Sequence, residues 1–377
     1  MSTLALTVVS VVCAVAGVAA AATLTRRRGT PVGARALLVA AGAAGAGGVL
    51  ATAVVVARGQ GFVMFTVAHL AYLGVTVTVP LLAVGLAAVA GPVGRRTAPR
   101  PVWAVLAVAL LPVPVGVYAT HVAPHRLRVE EVAVAVDPAR AGDDEVRIAV
   151  LADLQTNRVG DHERRAVDEV LAAEPDVILL PGDLFQGTDA ELDDEVGALR
   201  DLLGRLRAPH GVFFVEGDVD GGGHARRVLE GTGIEVLDDE VTELAVGDRT
   251  LRIGGTALAY GSAAADAVRA DLLATPDDGA VTVLVSHRPD TVLGLPEGSR
   301  VDLTVAGHTH GGQVVIPGFG PPVTFTDVPR SVARGGLHAV AGNPIYVSPG
   351  VGLERGSAPQ VRLFSRPAVG VLTLRDA

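Results

Sequence analysis

The chain of 377 residues has a single cysteine, Cys13, which excludes a disulfide within the chain. It also has no lysine, so arginine supplies every permanently positive side chain. Aspartate and glutamate are absent from the first 128 residues, which hold ten arginines; the other 21 basic residues and all 40 acidic residues follow Arg128. That second part carries a net charge of −19, which argues against nucleic acid as a partner because such binding depends on neutralising phosphates with cationic side chains.

Four long apolar runs occupy the N-terminal third of the chain, where charged residues are few. Each run is long enough for a helix that crosses a bilayer core, which takes about 20 residues. We therefore predict four transmembrane helices within residues 1–121. The runs cover residues 3–23, 36–57, 62–90 and 102–120.

The arginines between these runs predict an orientation in the membrane. Four arginines lie in the first loop (residues 24–35) and three in the third (residues 91–101), whereas the second loop has Arg58 alone. Short loops rich in arginine stay in the cytoplasm, so both termini should lie outside. We expect a multi-pass protein of the cell membrane, embedded in the lipid bilayer, with its acidic domain on the extracytoplasmic side.

After residues 122–145, which we assign to a linker and the start of the domain, short β-branched runs alternate with amphipathic stretches. This alternation predicts a layered α/β domain over residues 146–377. The predicted strands are residues 146–152, 177–180, 212–215, 281–285 and 301–306. The clearest predicted helices are residues 162–173 and 191–207.

Each of the five predicted strands is followed directly by residues that bind metal ions. They are Asp153 and Gln155, Asp183, Asp218 and Asp220, His287, and finally His308 and His310. Ligands of open α/β sheets bind beyond the carboxyl ends of the strands, and mixed carboxylate and imidazole sites suit Mn, Fe or Zn. Two such ions about 3.5–4 Å apart can clamp the attacking and leaving oxygens of a phosphoryl transfer. Asp183, which follows a glycine, is the candidate for the bridging carboxylate.

The order of these blocks resembles the signature of the calcineurin-like metallophosphoesterases. The resemblance rests on Asp153, Gly182-Asp183, Gly217-Asp218, His287 and Gly307-His308-Thr309-His310, and Gly311-Gly312-Gln313 is similar to the membrane-anchored bacterial branch. It implies a layered β-sandwich flanked by helices that binds two divalent metal ions. One metal would be held by Asp153, Gln155, Asp183 and His310. The other would be held by Asp183, Asp218, His287 and His308.

Two positions depart from the family pattern. Gln155 stands where the family usually has histidine, and an amide binds such metals only through its carbonyl oxygen. Val219 stands where the family has the histidine that acts on the leaving group, and it cannot donate a proton. Either Asp220 or His224 takes that role, or the leaving group needs little help, or the protein is catalytically impaired.

These observations predict a metal-dependent phosphoester hydrolase at the outer face of the membrane, with in-line attack by a metal-bridging hydroxide. The residues assigned to catalysis are Asp183, Asp218, Asp220 and His308. The substrate is a phosphoester, either soluble or lipid-linked. The alternative is a catalytically impaired metal-binding sensor or envelope scaffold, which the departures at Gln155 and Val219 favour.

Overall fold

The computed structural model describes residues 112–277, 279–355 and 358–376. The first three predicted transmembrane runs and most of the fourth precede residue 112 and lie outside the described residues. The end of the fourth run forms a short helix, α1 (Pro112–Val117), followed by a π-helical turn at Tyr118–Val122. No helix in the described ranges is long and apolar enough to cross a bilayer.

The strands of the described residues all belong to one compact unit, Ala123–Leu353 with Val361–Ala377, and they form two six-stranded sheets. The first sheet contains β1 (Arg128–Val136), β2 (Val146–Val150), β3 (Val177–Leu180), β4 (Val212–Phe214), β5 (Glu235–Val236) and β12 (Ala368–Asp376), in the spatial order β1-β12-β2-β3-β4-β5. The second contains β6 (Glu240–Val246), β7 (Arg249–Gly255), β8 (Val281–Val285), β9 (Leu303–Ala306), β10 (Gly336–Val340) and β11 (Asn343–Val347), in the order β10-β11-β9-β8-β7-β6.

The central strands of each sheet run parallel: β2 to β5 in the first, and β7, β8, β9 and β11 in the second. Parallel strands need crossover connections, and several of these contain helices. The helices after α1 are α2 (Pro138–Ala141), α3 (Asp161–Ala172), α4 (Asp189–Leu203), α5 (His224–Leu229), α6 (Ala263–Leu273) and α7 (Arg330–Ala333). The carboxyl ends of neighbouring parallel strands therefore lie at one edge of each sheet.

Successive side chains of the first sheet's strands point into two different cores, which is why apolar residues fill both faces of these strands. Ile148 and Val150 of β2 pack between the sheets with Ile253 of β7 and Val283 of β8. Ala149, which points the other way, packs in a second core with residues of α3 and α4. The outer face of the second sheet is covered by α6. The predicted β-sandwich flanked by helices is thus confirmed.

The start of α4 is fixed by reciprocal hydrogen bonds between a side chain and the backbone. Thr188 Oγ1 accepts from the backbone N–H of Glu191 at 3.3 Å, and the Glu191 carboxylate accepts from the backbone N–H of Thr188 at 2.7 Å. Such a capping box satisfies donors that the first helical turn leaves open. It also ends the loop that carries Asp183.

The five predicted strands are confirmed as β2, β3, β4, β8 and β9, with ends that agree within two residues. The two predicted helices correspond to α3 and α4. Helix α4 is shorter than predicted: it ends at Leu203, with Gly204 as its C-cap, and not at residue 207. The sequence did not predict the other seven strands, and one of these, β1, lies in the segment that we assigned to a linker and the start of the domain. This strand pairs in parallel with β12, from Arg128 opposite Ala368 to Val136 opposite Asp376.

Candidate metal centre

The loops after β2, β3, β4, β8 and β9 carry the seven predicted metal ligands, and the structure brings five of them together. Asp153, Asp183 and His287 form one group of three, with ligand atoms within 4.8 Å of one another. Asp218 and His308 form a second such group, again with His287. His287 therefore joins the two groups into one cluster, to which both sheets contribute.

The ring of His287 is fully buried and its orientation is fixed by the backbone. Nδ1 donates to the carbonyl oxygen of Pro181 at 2.9 Å. Nε2 lies 3.5 Å from Asp183 Oδ2 and 3.6 Å from Asp218 Oδ2, and it has no hydrogen-bond partner in the described part of the chain. A hydrogen bond to the far nitrogen commonly orients a histidine that binds metal, so Nε2 is the nitrogen available to a metal ion.

His308 is oriented in the same way but with its nitrogens exchanged. Its Nε2 donates to the carbonyl oxygen of Phe325 at 3.1 Å, and its Nδ1 lies 2.8 Å from Asp218 Oδ2. The rings of His308 and His287 meet edge to face, with centroids 5.1 Å apart. Nδ1 of His308 and Nε2 of His287 therefore converge on the same carboxylate.

The backbone is strained at most of the predicted ligands. The φ angle is 49° at Asp153, 36° at Gln155, 59° at Asp183, 70° at His308 and 48° at His310. Residues other than glycine rarely adopt positive φ, and such strained positions concentrate at functional sites. The strand ends are bent here so that side chains from separate loops point at one place.

Two glycines allow the loops to approach each other. A Cβ atom on Gly182 would lie 2.7 Å from the Cα of Gly217 and equally close to Nδ1 of His287. Because Gly182 also has a φ of 83°, any other residue there would be strained as well as crowded. Close packing of the two loops therefore explains why a glycine precedes the aspartate in Gly182-Asp183 and in Gly217-Asp218.

The cluster has the chemistry of a site for divalent metal ions. Asp153 is completely buried, yet its Oδ2 has no hydrogen-bond partner within the described residues, and the same holds for both ring nitrogens of His310. Buried polar atoms are rarely left in this state unless an ion or water completes them. Carboxylates and imidazoles are also the ligands that Mn, Fe and Zn share. The residues present fit the two metal ions that the sequence predicted.

Buried negative charge dominates the electrostatics of the cluster. Burial, together with the charge of Asp183, raises the pKa of Asp153 to about 8. Burial alone would lower the pKa of His287, but Asp183 and its neighbouring carboxylates outweigh it and raise the pKa to about 10. Without a metal ion, protons therefore compensate the carboxylates, and a bound cation would take over that role.

The remaining two predicted ligands lie outside the groups of three. Gln155 is buried beside Asp183, and its backbone N–H donates to the Asp183 carbonyl at 2.8 Å while its side-chain amide donates to Gln186 at 3.2 Å. His310 is also buried, with 3% of its surface exposed. Burial lowers its pKa well below the ordinary value, and the charge of Arg362 adds to this effect. The imidazole of His310 is thus neutral, as metal binding requires.

Asp220, which the sequence suggested as a catalytic residue, is held behind the cluster. Its carboxylate accepts hydrogen bonds from the backbone N–H groups of Asp183 at 2.6 Å, Leu184 at 2.9 Å and Gly217 at 2.8 Å. Only 1% of its surface is exposed. We therefore assign Asp220 to positioning the Asp183 and Gly217 loops, and its suggested role as a proton donor stays a prediction.

The other suggested proton donor, His224, begins α5 and is tied to a neighbouring helix. Its Nε2 lies 2.8 Å from Oδ1 of Asp189, the first residue of α4, and its ring meets that of Phe185 edge to face. Its side chain belongs to neither group of three potential ligands. Its role on the leaving group stays a prediction.

Two arginines next to the cluster were not identified from the sequence. Arg362 is completely buried and donates to the carbonyl oxygens of residues 349, 350 and 352 and of His310. Arg288 follows His287 directly and donates to Oδ1 of Asp218. With no lysine in the chain and arginine spread along it, only adjacency to His287 could have drawn attention to Arg288.

Comparison with known proteins gives consistent matches to this part of the chain. Residues 146–312 match the family model described as calcineurin-like phosphoesterase. The uncharacterized metallophosphoesterase YkuE of Bacillus subtilis is 27% identical over 69% of this chain and 89% of its own length. An uncharacterized metallophosphoesterase of Aquifex aeolicus is 28% identical over 69% and 96%, and the phosphodiesterase YaeI of Escherichia coli is 29% identical over 60% and 82%. The family match runs from β2 to the turn after His310 and so includes all seven predicted ligands.

Proposed function

We propose that this chain is a calcineurin-like metallophosphoesterase, a phosphoester hydrolase that acts through two divalent metal ions bound side by side at the cluster. The observation that carries this proposal is the pair of ligand groups that share His287. Its support lies in carboxylates and imidazoles that are buried, oriented and short of hydrogen-bond partners. The ions are Mn, Fe or Zn, which these ligands suit.

We assign Asp153, Gln155, Asp183 and His310 to one ion and Asp183, Asp218, His287 and His308 to the other, as the family resemblance implies. Asp183 suits the bridging role because Oδ1 accepts from the backbone N–H of Val219 at 3.0 Å while Oδ2 faces His287 Nε2. When bound, two such ions lower the pKa of a coordinated water and offset charge on the phosphoryl oxygens.

The open side of the cluster determines where a substrate can lie. Asp153 and His287 are buried, whereas the side chain of Asp218 is 27% exposed and that of His308 is 10% exposed. We propose that the phosphoryl group lies against Asp218 and His308. In-line displacement then directs the leaving group away from the buried carboxylates.

We propose that the substrate is a phosphodiester or pyrophosphate with a leaving group that departs without much help from an acid. The position of Val219 supports this choice, since its backbone contacts Asp183 but its side chain has no proton to give. The E. coli relative is named a phosphodiesterase, which supports a diester for this chain. An alkyl phosphate monoester would be the least suitable substrate.

A lipid-linked substrate is supported by apolar side chains near the cluster. Ile316, Phe319, Phe325 and Phe364 are between 46% and 63% exposed. The carbonyl of Phe325 binds His308, and the segment of Phe364 pairs with the segment that precedes Ile316. Exposed apolar groups of this kind commonly mark a binding surface. We name Ile316, Phe319, Phe325 and Phe364 the apolar rim.

We further propose that the domain acts at the outer face of the cell membrane, anchored by the four predicted transmembrane helices. The arginine-rich first and third loops support this orientation. A reporter that is active only after export, fused behind Ala377, should be active. A reporter that works only in the cytoplasm should be active when it is fused between Arg96 and Arg100. The reverse pattern for the two fusions would contradict the orientation.

The enzymatic proposal is tested with the full chain in detergent, loaded in turn with Mn, Fe and Zn. We expect hydrolysis of bis-p-nitrophenyl phosphate to depend on added metal and to be lost in Asp153→Asn. Asp201→Asn, a matched change on the exposed face of α4, should keep full activity. If the parent chain hydrolyses no phosphoester with any of the metals, the sensor or scaffold alternative replaces this proposal.

A further inference from the structure

Arg288 is hydrogen-bonded directly to Asp218, one of the candidate metal ligands. Its Nε and Nη2 both donate to Oδ1 of Asp218, at 3.2 and 2.6 Å. The other oxygen of Asp218, Oδ2, lies 2.8 Å from His308 Nδ1 and 3.6 Å from His287 Nε2. One face of Asp218 is therefore turned to the metal ligands and the other to a guanidinium group.

The guanidinium of Arg288 lies on the open side of the cluster. The side chain is 34% exposed, and Asp218 beside it is 27% exposed. The remaining nitrogen, Nη1, has no hydrogen bond to any of the described residues. A guanidinium presents five donors in a fixed plane, which suits the oxygens of a phosphoryl group. Arg288 thus has donors left for a ligand after binding Asp218.

Val219 occupies the position at which the family resemblance would place a histidine that acts on the leaving group, and its side chain has no proton to give. Val219 follows Asp218 directly, and its backbone N–H donates to Asp183. The other arginine near the cluster, Arg362, is completely buried and bound to backbone carbonyls. Arg288 is therefore a cation placed to meet negative charge on a substrate at this mouth.

We propose that Arg288 is a catalytic residue that binds the phosphoryl group and stabilises the negative charge that develops on the leaving oxygen. The proposal rests on the hydrolase function above. Water adds to phosphorus, the ester P–O bond breaks, and its electron pair stays on the leaving oxygen. That oxygen takes a proton from solvent, and the attacking water gives one up to solvent, because a guanidinium group does not transfer protons at ordinary pH.

A purely structural role for Arg288 is a clear alternative. Asp218 carries a negative charge, and in that case Arg288 serves only to neutralise it. The two roles separate in an Asp218→Asn background, where no extra charge needs neutralising. A contact with the substrate would still be lost there when Arg288 is removed.

The test compares the full chain with Arg288→Ala, Asp218→Asn and the double variant, each loaded with the same metal. We expect Arg288→Ala to lower kcat/KM for bis-p-nitrophenyl phosphate by about 10²–10³-fold, the size typical of one lost contact to developing charge. Metal content should not change, and added guanidinium ion should restore part of the rate. Arg205→Ala, which removes a surface arginine paired with Asp168, is the matched control and should leave the rate unchanged.

The double variant decides between the two roles. We expect it to be slower than Asp218→Asn by a factor close to that for Arg288→Ala in the parent. Equal rates for the double variant and Asp218→Asn would overturn the proposal and leave Arg288 with charge neutralisation alone.

Binding of inorganic phosphate, measured by calorimetry, gives a readout that is independent of turnover. We expect Arg288→Ala to weaken phosphate binding at least tenfold. A parent chain that hydrolyses no ester would contradict the hydrolase function itself. The assignment of Arg288 as a phosphoryl contact would then be overturned if Arg288→Ala bound phosphate as tightly as the parent.

Discussion

The carboxylate of Asp220 accepts a 2.6 Å hydrogen bond from the backbone N–H of Asp183, the candidate bridging ligand. The same oxygen accepts from Gly217, so one buried side chain holds two ligand loops at a fixed separation. The glycines in these loops permit contacts that any side chain would block: a Cβ on Gly217 would lie 2.3 Å from Asp183 Oδ1. The geometry of the cluster therefore depends on a residue that is not among the predicted metal ligands.

Replacing Asp220 with alanine should destabilise the domain and weaken metal binding. Three buried backbone N–H groups would lose their acceptor, and we expect a loss of about 3 kcal/mol in the free energy of unfolding. Chemical denaturation of the metal-free chain, followed by circular dichroism, measures this loss.

Asp220→Asn is the control for a catalytic role, since the amide keeps one accepting oxygen but cannot deliver an acidic proton. A positioning residue should then retain a substantial part of both stability and activity. A variant that is stable, fully loaded with metal and inactive would instead restore Asp220 as the proton donor.

Asp183→Asn should remove both metal ions from a domain that remains folded. A bridging carboxylate offsets the charge of two cations, and without it they repel each other at close range. Metal content measured after gel filtration should fall from two ions towards none, and activity should fall with it. Asp201→Asn should retain both ions, and a full metal content in Asp183→Asn would show that another group is the bridge.

The sequence predicted the candidate ligands because their signal is local. A buried strand followed by a glycine and an acid can be recognised within a few residues, and His308 and His310 stand in one glycine-flanked loop. Short β-branched runs likewise located β2, β3, β4, β8 and β9. Each of these features is decided by residues that are neighbours in the chain.

The features that the sequence did not predict depend on contacts between distant residues. β1 exists through its pairing with β12, which is formed by the other end of the domain. Asp220 lies two residues from Asp218, yet only the packed structure shows that it faces the loops instead of the mouth. Arg362 reaches the cluster from the segment before β12, and nothing in its neighbouring residues marks it as buried.

Metal binding should tighten as the pH rises. In the absence of metal, the pKa of Asp153 is raised to about 8 and that of His287 to about 10, so both hold protons at neutral pH. Because ligands must lose these protons to bind a cation, each metal ion bound should release protons. Calorimetry in buffers of different ionisation enthalpy measures the number released, and an affinity that is constant between pH 6 and 9 would contradict this prediction.

Gln155→His should tighten the metal ion held by Asp153, because a neutral imidazole nitrogen suits Mn, Fe or Zn better than an amide oxygen. The backbone of residue 155 is already held beside Asp183, because its N–H donates to the Asp183 carbonyl oxygen. Activity should saturate at a lower metal concentration. Gln186→His, one contact farther away, is the control and should not change the metal requirement; an unchanged requirement in Gln155→His would place residue 155 outside the metal site.

Val219→His should accelerate hydrolysis of esters with poor leaving groups and have little effect on good ones. The backbone of residue 219 is fixed against Asp183 Oδ1, so a histidine here would begin beside the cluster and next to Asp218. An imidazolium can protonate an alkoxide as it departs, and general acid catalysis is typically worth about 10²–10⁴-fold.

p-Nitrophenolate departs without a proton, so the rate with bis-p-nitrophenyl phosphate should change little, whereas an alkyl p-nitrophenyl diester cleaved on its alkyl side should gain. The ratio of alkoxide to p-nitrophenolate products measures this directly, and Val219→Asn, which adds a polar group without a titratable proton, is the control. An equal gain for both leaving groups would mean that the new side chain acts through the metals or the fold and not as an acid.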